Sequence, residues 1–376
     1  IAPTTRFGEY ALVRQTVGVE TVRRTNDVGF VIFVDDGSTV AHEDQSTLLY
    51  AVKKGDMVSQ LFGPLAFTFG QYKIEPLLPP QIGVAERPLP SLPPLADNEL
   101  RIATFNTENF FDNSDPHPSS PPLPTRDEYE HKLAKLADAI VHMGAPQIIG
   151  LQEVENIDVL TDLAATEALA SFNYQPYLIE GYDSRGIDVG YLVRTDVVTI
   201  SGFTAYPEPN GLMSRPPLVI TATVQGPSGP LTFYVLNNHF LSLSAGEEAT
   251  EATRTAQAAW NVTIMDEIRA AHPDALFVVM GDLNSFYETP PLTTLQASGL
   301  HHVYEFLPDE ERPYTYIFEG ATQTLDHILL SPELFDAVTA VTALHIDANY
   351  PLPSTDDVSA KHVSDHDPLI VSIELK

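Results

Sequence analysis

From residue 98 onward, short apolar segments alternate with longer amphipathic segments, and this alternation limits the possible fold more than any other feature of the sequence. Short apolar runs between turn residues predict buried strands, and apolar residues spaced three and four apart predict helices. The predicted strands are residues 101–105, 147–152, 189–193, 218–224, 231–237, 275–280, 325–330 and 369–373. Helices are predicted at 126–143 and 253–271. This order is typical of an α/β domain.

Both predicted helices carry a one-sided apolar stripe. Thr125 and Glu128 have the spacing of a capping box, which fixes the start of the first helix. The stripes are Tyr129, Leu133, Leu136 and Ile140 in the first helix, and Ala256, Trp260, Ile264 and Ile268 in the second. Residues 116–124 and 245–253 predict long surface loops, either plain solvated loops or loops that serve the function.

A proline-dense segment divides the chain. Residues 76–95 read PLLPPQIGVAERPLPSLPPL and lack helical or strand periodicity, so they predict a semi-rigid extended linker. The residues before it contain β-like runs at 10–19, 28–34, 47–52, 56–62 and 65–74, which predict a small β-barrel. The predicted organisation is a barrel domain at 1–75, a linker at 76–97 and an α/β domain at 98–376.

Composition narrows the chemistry and the setting. The chain has no cysteine, so a metal would have to bind through oxygen or imidazole ligands. It has no run of about 18 apolar residues, so no membrane anchor is predicted. The chain begins at Ile1 without a methionine or a leader, which suggests a processed mature protein or a trimmed chain.

The charge is strongly negative and unevenly distributed. A formal net charge of -31 argues at first sight against a polyanionic substrate. Residues 1–80 hold seven basic and nine acidic residues, a net charge of -2, which leaves -29 on the rest of the chain. An acidic body with a near-neutral N-terminal domain favours a secreted, extracellular protein that stays soluble in salt.

Six short segments place polar residues at the ends of predicted strands. Taken singly, each acid is better explained as a turn or cap residue, and a lone histidine as an ordinary buried imidazole. Six such strand ends of complementary types predict one common site, because a rigid sheet holds its end residues in place while leaving them accessible. The residues are Asn106, Glu153, His239, Asp282 with Asn284, Asp326, and Asp365 with His366.

The order of these motifs, N, QE, NH, GDxN, LDHILLS and SDHDP, resembles the endonuclease/exonuclease/phosphatase superfamily, whose members include pancreatic-type deoxyribonucleases and abasic-site endonucleases. The resemblance covers about residues 98 to 376. It implies a DNase I-like, four-layer α/β sandwich, here preceded by a small OB-like β-barrel. The combination resembles bacterial secreted extracellular nucleases.

The resemblance implies a divalent ion held by Asn106 and Glu153, with Asp365 near it. Hard oxygen ligands agree with Mg²⁺ as the first choice, and with Mn²⁺ or Ca²⁺ as alternatives. Such an ion would neutralise the phosphate and the charge that develops on the leaving oxygen.

The resemblance also implies the proton-transfer residues. Asp282 would orient or deprotonate the attacking water, and Asn284 would hold a phosphoryl oxygen. His239 and His366 would exchange protons or stabilise charge, which suits an ordinary imidazole pKa near 6.5. Asp326 resembles the partner of His366.

Three further residues have less specific motifs. Asp188 is the predicted partner of His239, with a strand-entry turn acid as the alternative. Arg215 resembles a phosphate-contacting arginine, and Arg185 is either a second one or an exposed surface residue. His327 stands where relatives often carry tyrosine and is given no role.

The N-terminal domain supplies the residue types of a single-strand binding groove. The cations are Arg23, Arg24, Lys53 and Lys54, and the aromatics are Phe30, Phe33, Tyr50, Phe67 and Phe69. The alternative is that these rings are barrel core and the charges an ordinary surface.

The sequence therefore predicts a secreted bacterial nuclease that depends on a metal and acts on DNA, with RNA as a further substrate and internal cleavage as the simplest mode. No obligate protein partner is predicted. A phosphodiesterase or phosphatase of phospholipids or small molecules is the alternative enzyme, since substrate choice lies in the loops. A nucleic-acid-binding protein with an inactive catalytic fold is the alternative of another class.

Overall fold

The computed structural model describes residues 1–23, 30–42, 44–114, 117, 119–309 and 312–376. Short strands within the described part of the N-terminal region are β1 (Tyr10–Leu12), β2 (Ile32–Val34), β3 (Met57–Ser59), β4 (Leu65–Thr68), β5 (Gln71–Ile74) and β6 (Gln81–Gly83). Four of them form an open sheet in the order β1-β2-β5-β4, and β3 pairs with β6.

The larger part of the chain contains two six-stranded sheets. The first consists of β7 (Glu99–Phe110), β8 (Ile148–Val154), β9 (Tyr174–Leu178), β10 (Asp188–Arg194), β19 (Val338–Ala343) and β20 (Leu369–Glu374). The second consists of β11 (Val198–Ala205), β12 (Leu218–Gly226), β13 (Gly229–His239), β14 (Leu276–Asp282), β15 (His301–His302) and β18 (Asp326–Leu330). Strands β16 (Tyr316–Phe318) and β17 (Ala321–Gln323) form a separate hairpin.

Helices cover the outer faces of both sheets. They are α1 (Arg126–His142), α2 (Ile157–Ala164), α3 (Glu247–Ala271), α4 (Pro290–Ala297) and α5 (Pro332–Phe335). Residues such as Ile102, Val235 and Val278 fill the space between the two sheets. Because successive strand residues point to opposite faces, their neighbours pack outward, Ala103 with α1 and Val279 with α3. The predicted four-layer α/β sandwich is confirmed.

Both predicted helices are present, and the second begins earlier than predicted. At the start of α1, Thr125 Oγ1 accepts from the Glu128 amide at 3.3 Å, and Glu128 accepts from the Thr125 amide at 2.7 Å, which confirms the capping box. Helix α3 begins at Glu247, so most of the loop predicted at 245–253 is helical. The loop predicted at 116–124 lies partly outside the described residues.

The N-terminal strands differ from the predicted barrel. Residues 47–52 form no strand, and residues 28 and 29 lie outside the described part of the chain. The described strands form an open sheet and a separate pair, so an OB-like barrel is not confirmed. The small core is Tyr10, Val34, Tyr50 and Val52. Strand β6 falls inside the predicted linker and pairs with β3.

The residues expected to form a basic groove are largely engaged elsewhere. Lys54 donates to the Glu20 carbonyl at 2.6 Å and to Thr21 Oγ1 at 2.9 Å, and Lys53 pairs with Asp56. Arg24 lies outside the described residues. The aromatic residues do not all behave alike. Tyr50 is buried in the core, as the alternative predicted, whereas Phe67 and Phe69 are exposed, as a binding groove would require.

The end of the predicted linker packs on the α/β domain. The Leu92 amide donates to the His142 carbonyl at 2.8 Å, and His142 Nδ1 lies 2.9 Å from the Pro90 carbonyl. Arg101 donates to the Pro93 carbonyl at 3.0 Å. Residues 90–93 of the proline-rich segment are therefore packed against the α/β domain and do not form a free linker. Among the described residues, no helix is long and apolar enough to span a membrane.

Candidate active site

Three of the predicted site residues lie side by side at the edge of the second sheet. Strand β13 runs parallel to β14, which places His239 opposite Asp282, and β14 runs antiparallel to β18, which places Asp282 opposite Asp326. Gly281 permits this close pairing, because a Cβ at that position would lie 1.9 Å from the Asn238 carbonyl oxygen. The register of the sheet thus builds a row of one imidazole and two carboxylates.

The first sheet supplies the facing residues. Asn106 lies on β7 and Glu153 on the parallel strand β8. Asn106 Nδ2 donates to Asp282 Oδ2 at 3.0 Å, so a hydrogen bond joins the two sheets at the site. Glu153 accepts from the Asn109 amide at 3.0 Å, and its other oxygen lies 3.9 Å from His239 Nε2.

Left-handed backbone conformations concentrate here. Glu108, Asn109, Glu153 and Asn284 have φ angles of 50°, 48°, 60° and 45°. Non-glycine residues adopt this region at a cost of about 1 kcal/mol or more, and such costs persist where the surroundings enforce them. The strain therefore marks the same loops that carry the polar site residues.

His366 is held by Asp326. Its Nδ1 lies 2.8 Å from Asp326 Oδ2, which leaves Nε2 to face Asp282 at 4.0 Å. Burial alone would lower the pKa of His366, but the charge and hydrogen bond of Asp326 outweigh it, so the pKa lies well above 6.5. His366 is therefore the protonated imidazole of the site.

For His239 and Asp282, burial has the largest effect on the pKa. Burial and the nearby Arg215 hold the pKa of His239 well below 6.5, so this imidazole is neutral. Its Nε2 lies 3.5 Å from Asp282 Oδ2. Burial, with a smaller contribution from Asp326, raises the pKa of Asp282 to about 7. A carboxylate with that pKa can accept a proton near neutral pH.

These side chains open into one cleft of about 540 Å³. Of the predicted residues, its lining contains Asn106, Glu153, Arg185, His239, Asp282, Asn284, Asp365 and His366. Asp326 lies behind His366, fully buried. The structure therefore brings together every predicted site residue except Asp188 and Arg215.

The donor set fits a weakly chelated, hard divalent ion. Within the described ranges, no three histidine or acidic side chains converge as a preformed metal cluster. Mg²⁺ is commonly held by only one or two carboxylates, with waters and substrate oxygens completing its shell. The Asn106 amide oxygen and the Glu153 carboxylate supply such a set, and the carboxyl groups of Glu108 and Asp365 line the same cleft.

Arg215 is not placed to contact a phosphate. Its guanidinium forms an ion pair with Asp183 and donates to the His239 carbonyl at 3.2 Å and the Phe240 carbonyl at 3.0 Å. The side chain is buried behind the strand end that carries His239, so its donors hold that backbone in place. Arg185 lines the cleft instead, half exposed and 3.5 Å from Glu153.

Asp188 is not the partner of His239. Its Oδ1 accepts from the Gly181 amide at 2.7 Å, and the neighbouring charge with the largest effect on its pKa is that of Glu180. His239 Nδ1 has no hydrogen-bond partner among the described residues. The prediction is wrong because Asp188 turns toward the Gly181 amide, and spacing along the chain cannot show that orientation.

Asp188→Asn is expected to stabilise the protein above pH 7. Burial and Glu180 raise the pKa of Asp188 to about 7. Between about pH 4 and pH 7 the unfolded chain releases this proton while the folded chain keeps it, so the free energy of unfolding falls as pH rises. Asparagine can still accept from Gly181 and carries no charge. Urea unfolding should show a gain of about 1–3 kcal/mol at pH 8 and little change at pH 4; equal gains at both pH values would contradict this reading.

His327 has a structural role that the sequence did not reveal. Its Nδ1 lies 2.8 Å from His302 Nε2, and its Nε2 lies 2.7 Å from the Ser285 carbonyl. Both imidazoles are fully buried, and burial lowers the pKa of each, so the pair is neutral. The pair therefore ties β18 and β15 to the loop that follows Asp282.

Other cleft residues were missed by sequence reasoning. They are Glu108, Asn109, Ser242, Leu243, Ser244, Glu247, Phe286, Tyr316, Phe318, Gln323 and Leu325. Glu108 and Asn109 lie within the ATFNTENFF motif and could have been included from it. The hairpin residues Tyr316 and Phe318 carry no local motif, and only the fold shows that they form a wall.

The geometry is that of a phosphoesterase, and comparison with known proteins agrees. The model of the Endonuclease/Exonuclease/phosphatase family matches residues 101–345, more than half of the chain. The chain belongs to this family, whose members are phosphoester hydrolases that generally depend on a divalent metal. No curated protein matches the chain.

Solved structures share the fold at low identity. Humanized D. rerio TDP2 is 19% identical, with a TM-score of 0.52, over 74% of this chain and 100% of that one. The human Nocturnin catalytic domain, solved with a bound sulfate anion, is 16% identical, with a TM-score of 0.51, over 75% and 96%. A Bacteroides vulgatus endonuclease/exonuclease/phosphatase is 19% identical, with a TM-score of 0.50, over 74% and 99%.

Proposed function

We propose that this protein is an extracellular, divalent-metal-dependent nuclease that hydrolyses phosphodiester bonds of DNA, and of RNA where it is accessible, by internal cleavage. The observation that carries the proposal is the row His239, Asp282 and Asp326 with His366, facing Asn106 and Glu153 across one cleft. This arrangement offers a base, an acid and oxygen ligands around one point.

The residues divide the chemistry between them. Asp282, with its raised pKa, accepts the proton of an attacking water, and Asn106 and the Asn284 amide hold its two oxygens in place. Protonated His366 stabilises the charge that develops on the phosphoryl group. An ion held by Asn106 and Glu153 would supply charge neutralisation at the phosphate and the leaving oxygen.

A diester suits the charge of the cleft better than a monoester. Among the described lining residues, Arg185 is the only arginine or lysine, and it already faces Glu153 and Asp183. A phosphate monoester carries up to two negative charges near neutral pH, whereas a diester carries one. Fewer cations are therefore needed to bind a diester, which favours the nuclease over a phosphomonoesterase.

Metal removal is the first test. Supercoiled plasmid should be nicked in the presence of Mg²⁺ or Mn²⁺, and EDTA should abolish the nicking, because the site has too few cations to neutralise a phosphate alone. Restoring the metal should restore activity. Topology is read on an agarose gel, beside single-stranded DNA and RNA of the same length.

The alternative is a phosphodiesterase of phospholipids or small molecules, with the same cleft chemistry. A panel of phosphatidylinositol, inositol phosphates and sugar phosphates, assayed for phosphate or headgroup release, separates the two. Metal-dependent turnover of a panel member without cleavage of any nucleic acid would replace the nuclease assignment. Location is tested by assaying the producing culture, where activity should be in the medium rather than in the cells.

A further inference from the structure

The hairpin β16–β17 has two faces that serve different neighbours. Its register pairs Tyr316 with Gln323, Ile317 with Thr322 and Phe318 with Ala321. Since side chains alternate along a strand, Tyr316, Phe318 and Gln323 point to one side. All three line the cleft. Thr322 lies on the opposite face, which contacts the N-terminal region.

The contact involves the outer edge of β17 as well as that second face. The Thr322 amide donates to the Val22 carbonyl at 2.7 Å, and Thr322 also pairs with Arg23 as an isolated parallel bridge. The turn residue Gly320 presses against buried Ala11, since a Cβ on Gly320 would lie 2.6 Å from the Ala11 Cβ. Two-stranded hairpins are marginal by themselves. The N-terminal region therefore supports the wall of the cleft from behind.

The cleft offers little charge for holding a nucleic acid. Among its described lining residues, the carboxyl groups are those of Glu108, Glu153, Glu247, Asp282 and Asp365, and the one guanidinium is that of Arg185. Backbone phosphates usually provide most nucleic-acid affinity through lysine and arginine. Uncharged surface therefore has to add to the affinity that a bound ion and His366 would provide, and among the described lining residues Phe318 has the aromatic ring most open to solvent, with 51% of the residue exposed.

We propose that Phe318 stacks on an unpaired base next to the scissile phosphate, and that the N-terminal region holds it there through the hairpin. This rests on the proposed nuclease function and deepens it. A paired base is stacked between its neighbours and cannot offer its face, so the preferred substrate is a single strand or a locally opened duplex. An aromatic ring accepts any base, so no sequence preference is expected from this contact.

Phe318→Ala is expected to raise KM for a short single-stranded oligonucleotide by about tenfold, with kcat little changed. Phe318→Trp should keep the wild-type KM. Moving one abasic residue along the oligonucleotide should reveal a position where wild-type KM rises by the same factor and Phe318→Ala adds nothing. Equal effects of the substitution on base-bearing and abasic strands at every position would overturn the stacking proposal.

Salt gives an independent readout. With one arginine at the phosphate, KM should rise only about threefold between ~50 and ~200 mM salt, far less than for a binder with many phosphate contacts. A loss of a hundredfold or more would show that cations, not Phe318, provide the affinity. Failure of the wild type to cleave any oligonucleotide would sink the nuclease function itself, whereas cleavage that ignores Phe318 would sink only this inference.

The support from the N-terminal region is tested at Gly320. Gly320→Ala should raise KM several-fold, because the new Cβ collides with Ala11. Gly211→Ala is the matched control, since Gly211 has the same φ of 77° but no described heavy atom within 4 Å of its Cβ position. Adding Ala11→Gly to Gly320→Ala should restore KM. Equal KM values for the two alanine variants, or no rescue, would overturn the support.

Discussion

Asp282→Asn is expected to lower kcat by about 10²–10⁴-fold, because it removes the group that accepts the proton of the attacking water. The fold should persist, since the buried carboxylate is uncharged below its pKa of about 7 and asparagine keeps its size. The Asn284 amide can still donate to the remaining side-chain oxygen, as it does to Asp282 at 2.9 Å. Steady-state kinetics on a defined phosphodiester, with thermal unfolding of both proteins, measures the two effects.

Asp188→Asn is the matched control for this substitution. Asp188 is also a buried carboxyl at a strand end, and its pKa is also raised to about 7. It lies outside the cleft lining. Its replacement should leave kcat unchanged, so a comparable loss in both variants would point to a general effect of buried charge and would refute the specific role of Asp282.

His366→Gln is expected to reduce kcat by a similar factor, about 10²–10⁴-fold, with a smaller change in KM. The protonated imidazole, held by Asp326 at 2.8 Å, is positioned to stabilise charge that develops only during the reaction. Glutamine can donate one hydrogen bond but carries no charge. The measurement is kcat and KM on the same substrate, with Asp326→Asn expected to reproduce part of the loss.

A second histidine–aspartate pair in the chain provides the control for His366→Gln. His345 Nδ1 lies 2.7 Å from Asp367 Oδ2, almost the same arrangement as His366 with Asp326, but His345 lies outside the cleft lining. His345→Gln should keep kcat near the wild-type value. A strong loss of kcat there, or full activity of His366→Gln, would remove the role given to His366.

Much of the α/β domain could be predicted from the sequence, because its buried strands and its first helix carry clear apolar patterns. Strand β11 (Val198–Ala205) was not predicted because it lacks such a pattern. It is an edge strand, and most of its residues are exposed. A strand that is not buried has no apolar run to reveal it. The sandwich itself followed from the resemblance rather than from periodicity.

Helix α3 shows why a buried face need not be apolar. Its predicted stripe included Ala256, which is exposed, whereas Gln257 and Asn261 are buried. Gln257 accepts from the Leu241 amide at 2.9 Å, and Asn261 donates to Asn238 at 2.9 Å. These amides contact residues on both sides of His239, the side chain of Asn238 and the backbone of Leu241. A hydrophobic pattern cannot identify residues that are buried in order to bond a catalytic loop.

The candidate site was predictable where a residue stands at a strand end within a motif, as with His239 and Asp282. The side chain that pairs with a given site residue could not be predicted where tertiary packing determines it. Asp183, rather than Asp188, turns toward Arg215, and both acids lie in the same short loop and strand entry. Only the packed structure distinguishes such neighbours.

The two-sided hairpin also bears on how chains of this kind can be recombined. One of its faces belongs to the cleft, and the other is shaped to the Val22 and Ala11 surface of the N-terminal region. An exchangeable unit therefore has to include at least the N-terminal region and this hairpin. A chimera that replaced residues 1–75 alone would inherit a turn fitted to a surface that is no longer there.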